Sequence, residues 1–134
     1  MSNERQLHMQ KAVRLLHSVN KRAASDEPEA VVSTAYYAMH HAACAVLLHR
    51  GKTLPKTHSS LIGLFGLIVR DLGPESREAG AALHNAFETR STGDYSAAVR
   101  LNRADAIAAR DAAQSFVAYC RALQRKSLPR GKKD

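Results

Sequence analysis

The sequence predicts an all-α fold, an up-and-down antiparallel bundle of about five helices. Two observations support this class: 23 of the 134 residues are alanine, and no segment alternates for long between apolar and polar residues. Glycine, proline and polar clusters cut the chain into five pieces, and the short connections between them favour antiparallel neighbours. A chain of this length suits one domain, which buries roughly two-thirds of its unfolded surface without disulfides or metals.

The first predicted helix covers about residues 4–24, and its apolar side chains recur along one stripe. Residues 25–28 end it and start the next helix, since a proline suits a first helical turn and acidic residues suit a helix N-terminus. The second helix covers about residues 29–50 and stops at Gly51, because glycine is a favourable residue just after a helix.

The second helix is apolar nearly all round. One stripe includes Tyr36 and Met39, and a second stripe, which includes Tyr37 and His41, is rotated well away from it. We therefore expect this helix at the centre of the bundle, or with its second stripe at a dimer interface or ligand pocket. Its uncharged run approaches the length of a membrane span, but alanine, serine, threonine and histidine disfavour insertion, so we expect no membrane.

The third predicted helix covers about residues 57–72 and begins at a serine or threonine cap. Gly63 and Gly66 lower the stability of this helix, so we expect them to permit a close contact with another helix. Gly73 and the proline after it end the helix.

The fourth predicted helix covers about residues 75–90, and the Ser-Thr-Gly-Asp segment at residues 91–94 is predicted to break it. Asn102 then caps a fifth helix that ends near residue 124. We expect residues 1–126 to form the bundle domain and residues 127–134 to form a basic, disordered tail.

The formal net charge is +8, and most of it lies at the C-terminal end. Residues 121–134 hold six basic and one acidic residue, whereas residues 1–120 hold 14 basic and 11 acidic residues. We therefore expect a local site rather than a broad basic surface, with a tail that adds weak, salt-sensitive attraction to RNA or DNA. Two cysteines are too few for a disulfide scaffold, and without an export signal we expect a cytoplasmic protein with reduced thiols.

No motif predicts a metal or a cofactor, because the sequence has no Gly-rich phosphate loop, no Cys-x-x-Cys and no His-Glu-x-x-His. Two weaker features are candidate contacts for a base or an anion. Tyr37 and His41 share a helix face, where they either contact a ligand or satisfy each other at an interface. Lys56 and His58 lie at a helix N-terminus, which either binds an anion or is an ordinary cap.

The segment from Arg90 to Tyr95 is the most specific polar feature of this alanine-rich chain. We expect Arg90 at the end of a helix, followed by a glycine turn that presents Asp94 and Tyr95. Arg90 would hold a phosphate with two parallel hydrogen bonds, Asp94 would orient it, and Tyr95 would stack or donate. The alternative is an Arg90–Asp94 ion pair that only holds the fold.

Five short motifs follow one another along the chain: Ser33-Thr-Ala-Tyr-Tyr-Ala-Met-His-His-Ala-Ala, Leu47-Leu48-His-Arg-Gly51, Lys56-Thr-His-Ser, Leu64-Phe-Gly66 and Arg90-x-x-x-Asp94-Tyr95. Together they resemble the HEPN-domain family, in particular the short stand-alone chains encoded beside a minimal nucleotidyltransferase. The resemblance covers about residues 5–125. It implies a helical bundle that forms a homodimer, binds a nucleotide or RNA, and works with a nucleotidyltransferase partner in a toxin–antitoxin pair.

The family that the chain resembles includes many metal-independent ribonucleases with an Arg-x(4–6)-His motif. In that motif the arginine steadies the scissile phosphate and the histidine is the general acid or base. Arg90 matches the arginine, but Asp94-Tyr95 stands where the histidine is expected. A ribonuclease would thus use Arg90 with a histidine from elsewhere, His41 or His58. The remaining alternative is a regulatory interaction subunit without a ligand, with the Tyr37 stripe as its dimer seam.

Three positions depart from the pattern of the family. Thr34 and Cys44 stand where arginine is frequent, and His40 stands where phenylalanine is usual. Fewer positive charges on the central helix should weaken phosphate binding there. The predicted nucleotide or RNA site is therefore centred on Arg90, Asp94 and Tyr95, with Tyr37, His41, Lys56 and His58 at its flank.

Overall fold

The computed structural model describes residues 3–23 and 27–125, and these ranges contain five α-helices and no β-strand. The helices are α1 (Glu4–Arg22), α2 (Pro28–His49), α3 (His58–Val69), α4 (Pro74–Tyr95) and α5 (Arg103–Arg125), and a 3-10 turn, Arg70–Leu72, follows α3. The predicted all-α class is confirmed. The predicted end of the first helix at residue 24 and the predicted tail at residues 127–134 lie outside the described residues.

The helix starts follow the local capping chemistry of the sequence. Asn3 and Gln6 form a capping box at the start of α1, in which each side chain accepts a hydrogen bond from the other residue's backbone N–H. Asn102 and Asp105 form the same pair of bonds at the start of α5, at 2.8 and 3.0 Å. The Thr57 hydroxyl accepts a backbone hydrogen bond at the start of α3. The predicted caps of the third and fifth helices are therefore present.

The central helix is α2, which packs against α1, α4 and α5. Twelve of its 22 residues are buried, and five of those twelve are alanines that let the neighbouring helices approach closely. Within the described ranges it is the one helix long and apolar enough to cross a membrane by length and composition, yet 67% of that window is buried inside the bundle. Its apolar surface is therefore used by the core of the domain.

The predicted break at residues 91–94 is wrong, because α4 continues through them. Glycine lowers helix stability by about 1 kcal/mol relative to alanine, and serine and threonine lower it less. Contacts offset this cost: Gly93 lies so close to Leu101 that an added Cβ would come within 2.6 Å of its Cδ1. Arg90 also pairs with Asp94 one turn further along the same helix. Arg90 is thus inside a helix rather than at its end.

The two glycines of α3 do not act as predicted. A Cβ built on Gly63 or on Gly66 would meet no atom of the described residues within 4 Å. The nearest approach between α3 and α4 involves Gly80, whose added Cβ would lie 3.5 Å from the Cα of Gly66, an ordinary van der Waals distance. Neither Gly63 nor Gly66 is therefore required to be glycine for steric reasons.

The start of α3 lies beside the first half of α2, where Tyr36 and His58 share a hydrogen bond. Residues 51–57 connect the two helices without forming a helix of their own. The C-terminal half of α4 reaches the same place, because the Phe87 ring lies 5.8 Å from the Tyr36 ring, centroid to centroid. Two helices, α3 and α4, thus converge on the first half of α2, and this is where the candidate site forms.

Candidate functional site

The guanidinium of Arg90 is held over two aromatic rings of α2. Its Cζ lies 5.1 Å from the centre of the Tyr37 ring and 5.5 Å from that of the Tyr36 ring, both within the range of a cation–π interaction. Its Nε lies 3.2 Å from Oδ2 of Asp94, and the side chain is 16% exposed. That Nε has no hydrogen-bond partner among the described residues. Arg90 is therefore fixed in place by rings and a carboxylate while part of its donor capacity is unused.

The two tyrosines have different environments. Tyr36 is 1% exposed, and the Tyr37 ring meets it edge-on at 5.2 Å between centroids. Burial raises the pKa of Tyr36 above its usual range, and the positive charge of Arg90 offsets only part of this increase. Tyr36 is thus a neutral phenol, and its hydroxyl forms a hydrogen bond with Nδ1 of His58 at 2.5 Å. Tyr37 is only half-buried, so part of its ring remains accessible.

Four imidazoles extend the cluster away from Arg90. His40 stacks on His58 with 4.6 Å between ring centroids, and His41 stacks on His8 of α1 with 5.1 Å between centroids. The Nδ1 atoms of His8 and His41 lie 2.9 Å apart and form a hydrogen bond. His40 links the two stacks, because its ring meets that of His41 edge-on at 5.1 Å.

Three of these imidazoles, His40, His41 and His58, are neutral at pH 7. Burial is the largest cause of the low pKa of His40, and together with the neighbouring His58 and His41 rings it lowers this pKa to about 3. Burial also lowers the pKa of His41 to about 4, together with His8, Lys11 and Arg14. The pKa of His58 is lowered by burial and by the charge of Arg90. At neutral pH the imidazoles therefore donate and accept hydrogen bonds, and Arg90 supplies the positive charge of the cluster.

The structure brings together four of the predicted site residues: Arg90, Asp94, Tyr37 and His58. The predicted ion pair between Arg90 and Asp94 is present, as an i, i+4 pair on one helix. His41 belongs to the same cluster but pairs with His8. The candidate catalytic residue with the shorter route to Arg90 is therefore His58, since both side chains contact the same two tyrosine rings.

Two predicted residues lie apart from the cluster. Tyr95 is 82% exposed, and within the described residues its ring contacts none of the aromatic groups around Arg90. The continuous helix causes this, because adjacent positions on a helix point about 100° apart, so Tyr95 cannot follow Asp94 toward Arg90. Lys56 is exposed in the segment before α3, two residues from His58.

The sequence reasoning missed several members of the cluster. Tyr36 was predicted as a core residue, and the helical period does place it on the buried stripe, so nothing local marks its hydroxyl as a partner of His58. His8 and Phe87 come from α1 and α4, and no pattern in the sequence pairs them with α2. In the sequence, His40 stands out only because phenylalanine is usual at its place. In the structure its Nδ1 is buried without a hydrogen-bond partner in the described ranges.

The described residues contain no group of three or more histidine, cysteine, aspartate or glutamate side chains arranged to hold a metal ion. Cys44 and Cys120 are both buried as free thiols. The Sγ of Cys44 lies 3.7 Å from Nε2 of His40, and burial raises the pKa of this thiol to about 12. Both cysteines are thus neutral, small apolar groups of the core.

The geometry can be set beside known proteins. The chain is 37% identical over 93 residues to a UPF0332 protein of Archaeoglobus fulgidus, an alignment that covers 69% of this chain and 73% of the relative. The family description that matches is the HEPN domain, and the match runs over residues 6–123, from the first turn of α1 to the last buried residue of α5. The match includes every residue of the cluster around Arg90, and the chain therefore belongs to the HEPN domain family.

Proposed function

We propose that the chain binds a nucleotide or RNA at the cluster around Arg90. The observation that carries this proposal is Arg90 itself, a largely buried guanidinium fixed over two tyrosine rings and paired with Asp94 through Nε. A guanidinium held in one orientation loses little entropy when it forms two parallel hydrogen bonds to a phosphate. HEPN domains are often related to nucleotides or RNA, which agrees with this chemistry.

The other groups of the cluster have complementary roles in this proposal. The half-exposed Tyr37 offers a ring face on which a base stacks. Asp94 holds Arg90 and leaves one carboxylate oxygen for a ribose hydroxyl. The neutral His58, fixed by Tyr36, adds a second hydrogen-bonding group without adding charge.

An RNA-binding titration with Arg90 variants tests this function. The ligand is a fluorescein-labelled single-stranded RNA followed by anisotropy, with ATP titrated by calorimetry in parallel. Replacing Arg90 with alanine should weaken binding at least about tenfold, because one bidentate phosphate contact is worth about 1–3 kcal/mol. Arg90→Lys should give an intermediate affinity, since it keeps the charge but loses the planar fork.

Arg77→Ala is the matched control for this titration. Arg77 is exposed on the same helix, and its Nη1 contacts only the backbone carbonyl of Arg70. The Arg77→Ala substitution removes one charge from α4 without changing the cluster around Arg90. The affinity of this variant for RNA and ATP should therefore stay close to that of the parent. Equal affinity of the parent and Arg90→Ala for both ligands would exclude the proposed site and leave a purely regulatory interaction subunit.

Ribonuclease activity is a second candidate, because His58 and Arg90 contact the same tyrosine rings. A neutral imidazole is able to accept a proton from a ribose hydroxyl, and an arginine stabilises the charge of the phosphate. The same RNA, incubated without metal and separated on a gel, decides between binding and cleavage. Cleavage by the parent that is lost in both Arg90→Ala and His58→Asn would establish the enzyme, and an intact RNA would exclude it.

We also propose a cytoplasmic homodimer that pairs with a nucleotidyltransferase in a toxin–antitoxin-like system. The support is the resemblance to short stand-alone HEPN chains, together with membership of the family. Light scattering of the purified chain measures the dimer. Co-expression with a nucleotidyltransferase encoded beside it, followed by co-purification, tests the partner, and separate elution of the two proteins would contradict it.

A further inference from the structure

A groove between the start of α1 and the end of α5 lies outside the cluster around Arg90. Its volume is about 820 Å³. The charged residues that line it are Arg5, Arg14 and Arg121, and no aspartate or glutamate of the described residues lines it. A cavity with charges of one sign concentrates its electrostatic potential and attracts an oppositely charged ligand.

The three arginines of this groove have no ion-pair partner in the described ranges. Arg22, Arg90 and Arg110, in contrast, each pair with a carboxylate. Arg5 and Arg14 are nine positions apart, which separates their Cα atoms by about 14 Å along the axis of α1. Their positive charges are therefore spread along a line rather than gathered at a point.

An unsatisfied amide marks the α5 side of the groove. The Nε2 of Gln124 is buried and has no hydrogen-bond partner among the described residues, and Gln124 lines the groove. An unpaired buried donor costs about 1–3 kcal/mol, which an acceptor oxygen from a bound molecule would recover. Gln6 and Gln10 add further amide donors on the α1 side.

The uncharged residues that line the groove indicate which parts of a ligand it could recognise. Met9 and Val13 contribute apolar surface, and no aromatic residue lines the groove. Without aromatic rings the groove offers no platform on which bases stack, so recognition would rest on the phosphates and would not depend on base sequence. Arginine and amide donors suit phosphate oxygens and carboxylates alike, and the phosphate backbone is favoured because the cluster around Arg90 is proposed to bind a nucleotide or RNA.

The groove is electrostatically connected to the cluster around Arg90. Arg14 lines the groove, and its charge, after burial, His8 and Lys11, contributes to the lowered pKa of His41. His8 stacks on His41 of α2, and Lys11 follows His8 by about one turn on α1. A path of basic and imidazole groups on α1 therefore runs from the groove toward the cluster.

We propose that the α1–α5 groove is a second phosphate-binding site, which holds the backbone of a single-stranded RNA. The inference rests on the proposed function for the identity of the ligand, and it extends that function from one nucleotide to a strand. A strand engages Arg5, Arg14 and Arg121 in the groove, and a mononucleotide engages only the Arg90 cluster.

The test measures the binding of a fluorescein-labelled 20-residue oligouridine to the full chain at several salt concentrations. The groove variant carries Arg5→Gln, Arg14→Gln and Arg121→Gln. The matched control carries Arg70→Gln, Arg77→Gln and Arg103→Gln, three exposed positions outside the groove. Both variants lose three charges, so a difference between them reports on location. Circular dichroism melting verifies that both variants are folded. If the triple groove variant is unfolded, the same binding measurements are made on the three single groove variants instead.

The groove variant should bind the strand about tenfold or more weakly than the control. The slope of log affinity against log salt concentration should fall by about 2, since each lost phosphate contact on a single strand contributes about 0.7. Both variants should bind uridine monophosphate as the parent does. Equal strand affinities and slopes for the two triple variants would overturn the inference.

Two further arms separate the two proposals. If Arg90→Ala binds the strand as well as the parent while the groove variant does not, the function proposed for the cluster fails and the groove remains. A polyglutamate peptide is the other probe. Binding of this peptide that requires the groove arginines, with no binding of oligouridine, would assign the groove to an acidic protein and overturn the inference.

Discussion

The buried imidazoles show how burial decides the charge of a single residue. His40 has an Nδ1 without a hydrogen-bond partner in the described ranges, and its pKa is lowered to about 3. His41 titrates at about 4 for similar reasons. In the unfolded chain both would titrate near 6.5. Between these values the unfolded state binds more protons than the folded state, so the free energy of unfolding falls as pH falls.

We predict that the free energy of unfolding of the parent protein falls between pH 7 and pH 5. In the His40→Phe variant it should fall by a smaller amount over the same range. Each imidazole should contribute about 1–2 kcal/mol to this loss, because the fold excludes a proton that the unfolded chain accepts. Phenylalanine keeps a ring to stack on His58 and is the usual residue at this place in the family that the chain resembles. Urea unfolding of parent and variant at the two pH values measures the difference.

His17→Gln is the control for this experiment, because His17 is exposed on α1. It should retain the parent's pH dependence. A parent whose unfolding free energy is the same at pH 7 and pH 5 would contradict the inferred neutrality of the buried rings.

At the level of the helices, α4 shows why local signals mislead near a site. Ser91, Thr92 and Gly93 are a common turn signal, and they were predicted as a break. The helix persists because Leu101 covers Gly93 and because Arg90 pairs with Asp94 across one turn. The contact with Leu101 is not visible in the local sequence, since Leu101 belongs to the connection before α5. The pair Arg90–Asp94 was predictable from its spacing, whereas the direction of Tyr95 depended on the helix continuing.

For α3 we predict that Gly63→Ala stabilises the protein by about 0.5–1 kcal/mol. Gly63 lies inside the helix, and an added Cβ meets no described atom within 4 Å, so alanine removes only freedom of the unfolded chain. The midpoint of urea unfolding should rise with an unchanged slope. Gly73→Ala is the opposite control: its φ of 120° is a conformation that only glycine adopts easily, and stability should fall. A Gly63→Ala variant less stable than the parent would indicate that another surface packs there.

For the whole molecule, composition and helical periodicity were sufficient to predict the class, the number of helices and the central position of α2. They could not predict which helices converge. The start of α3 returns to the first half of α2, and this return brings His58 to Tyr36. His8 reaches His41 only because α1 packs along α2. A site assembled from four helices is a property of their packing, so the sequence could identify Arg90, Tyr37 and His58 as candidates but not their common neighbours.

We predict that a chain ending at residue 126 folds with an unchanged melting temperature. The buried core residues that the structure describes lie between Ala12 and Leu123, and the sequence predicts residues 127–134 as a tail outside the bundle domain. The removed segment holds three basic residues and one acidic residue. Its loss should therefore weaken RNA binding at low salt and have little effect at high salt. A lower melting temperature would place residues 127–134 in the folded domain.

The contact between His8 and His41 determines which nitrogen of each ring carries a proton. When both rings are neutral, a hydrogen bond between two Nδ1 atoms requires opposite tautomers, one with its proton on Nδ1 and the other with its proton on Nε2. The Glu4 carboxylate lies 3.8 Å from Nε2 of His8. A proton on that Nε2 makes Nδ1 of His8 the acceptor, so that Nδ1 of His41 donates and Nε2 of His41 is left unprotonated. The tautomer of a histidine near the start of α1 thereby determines the direction of a lone pair on the central helix.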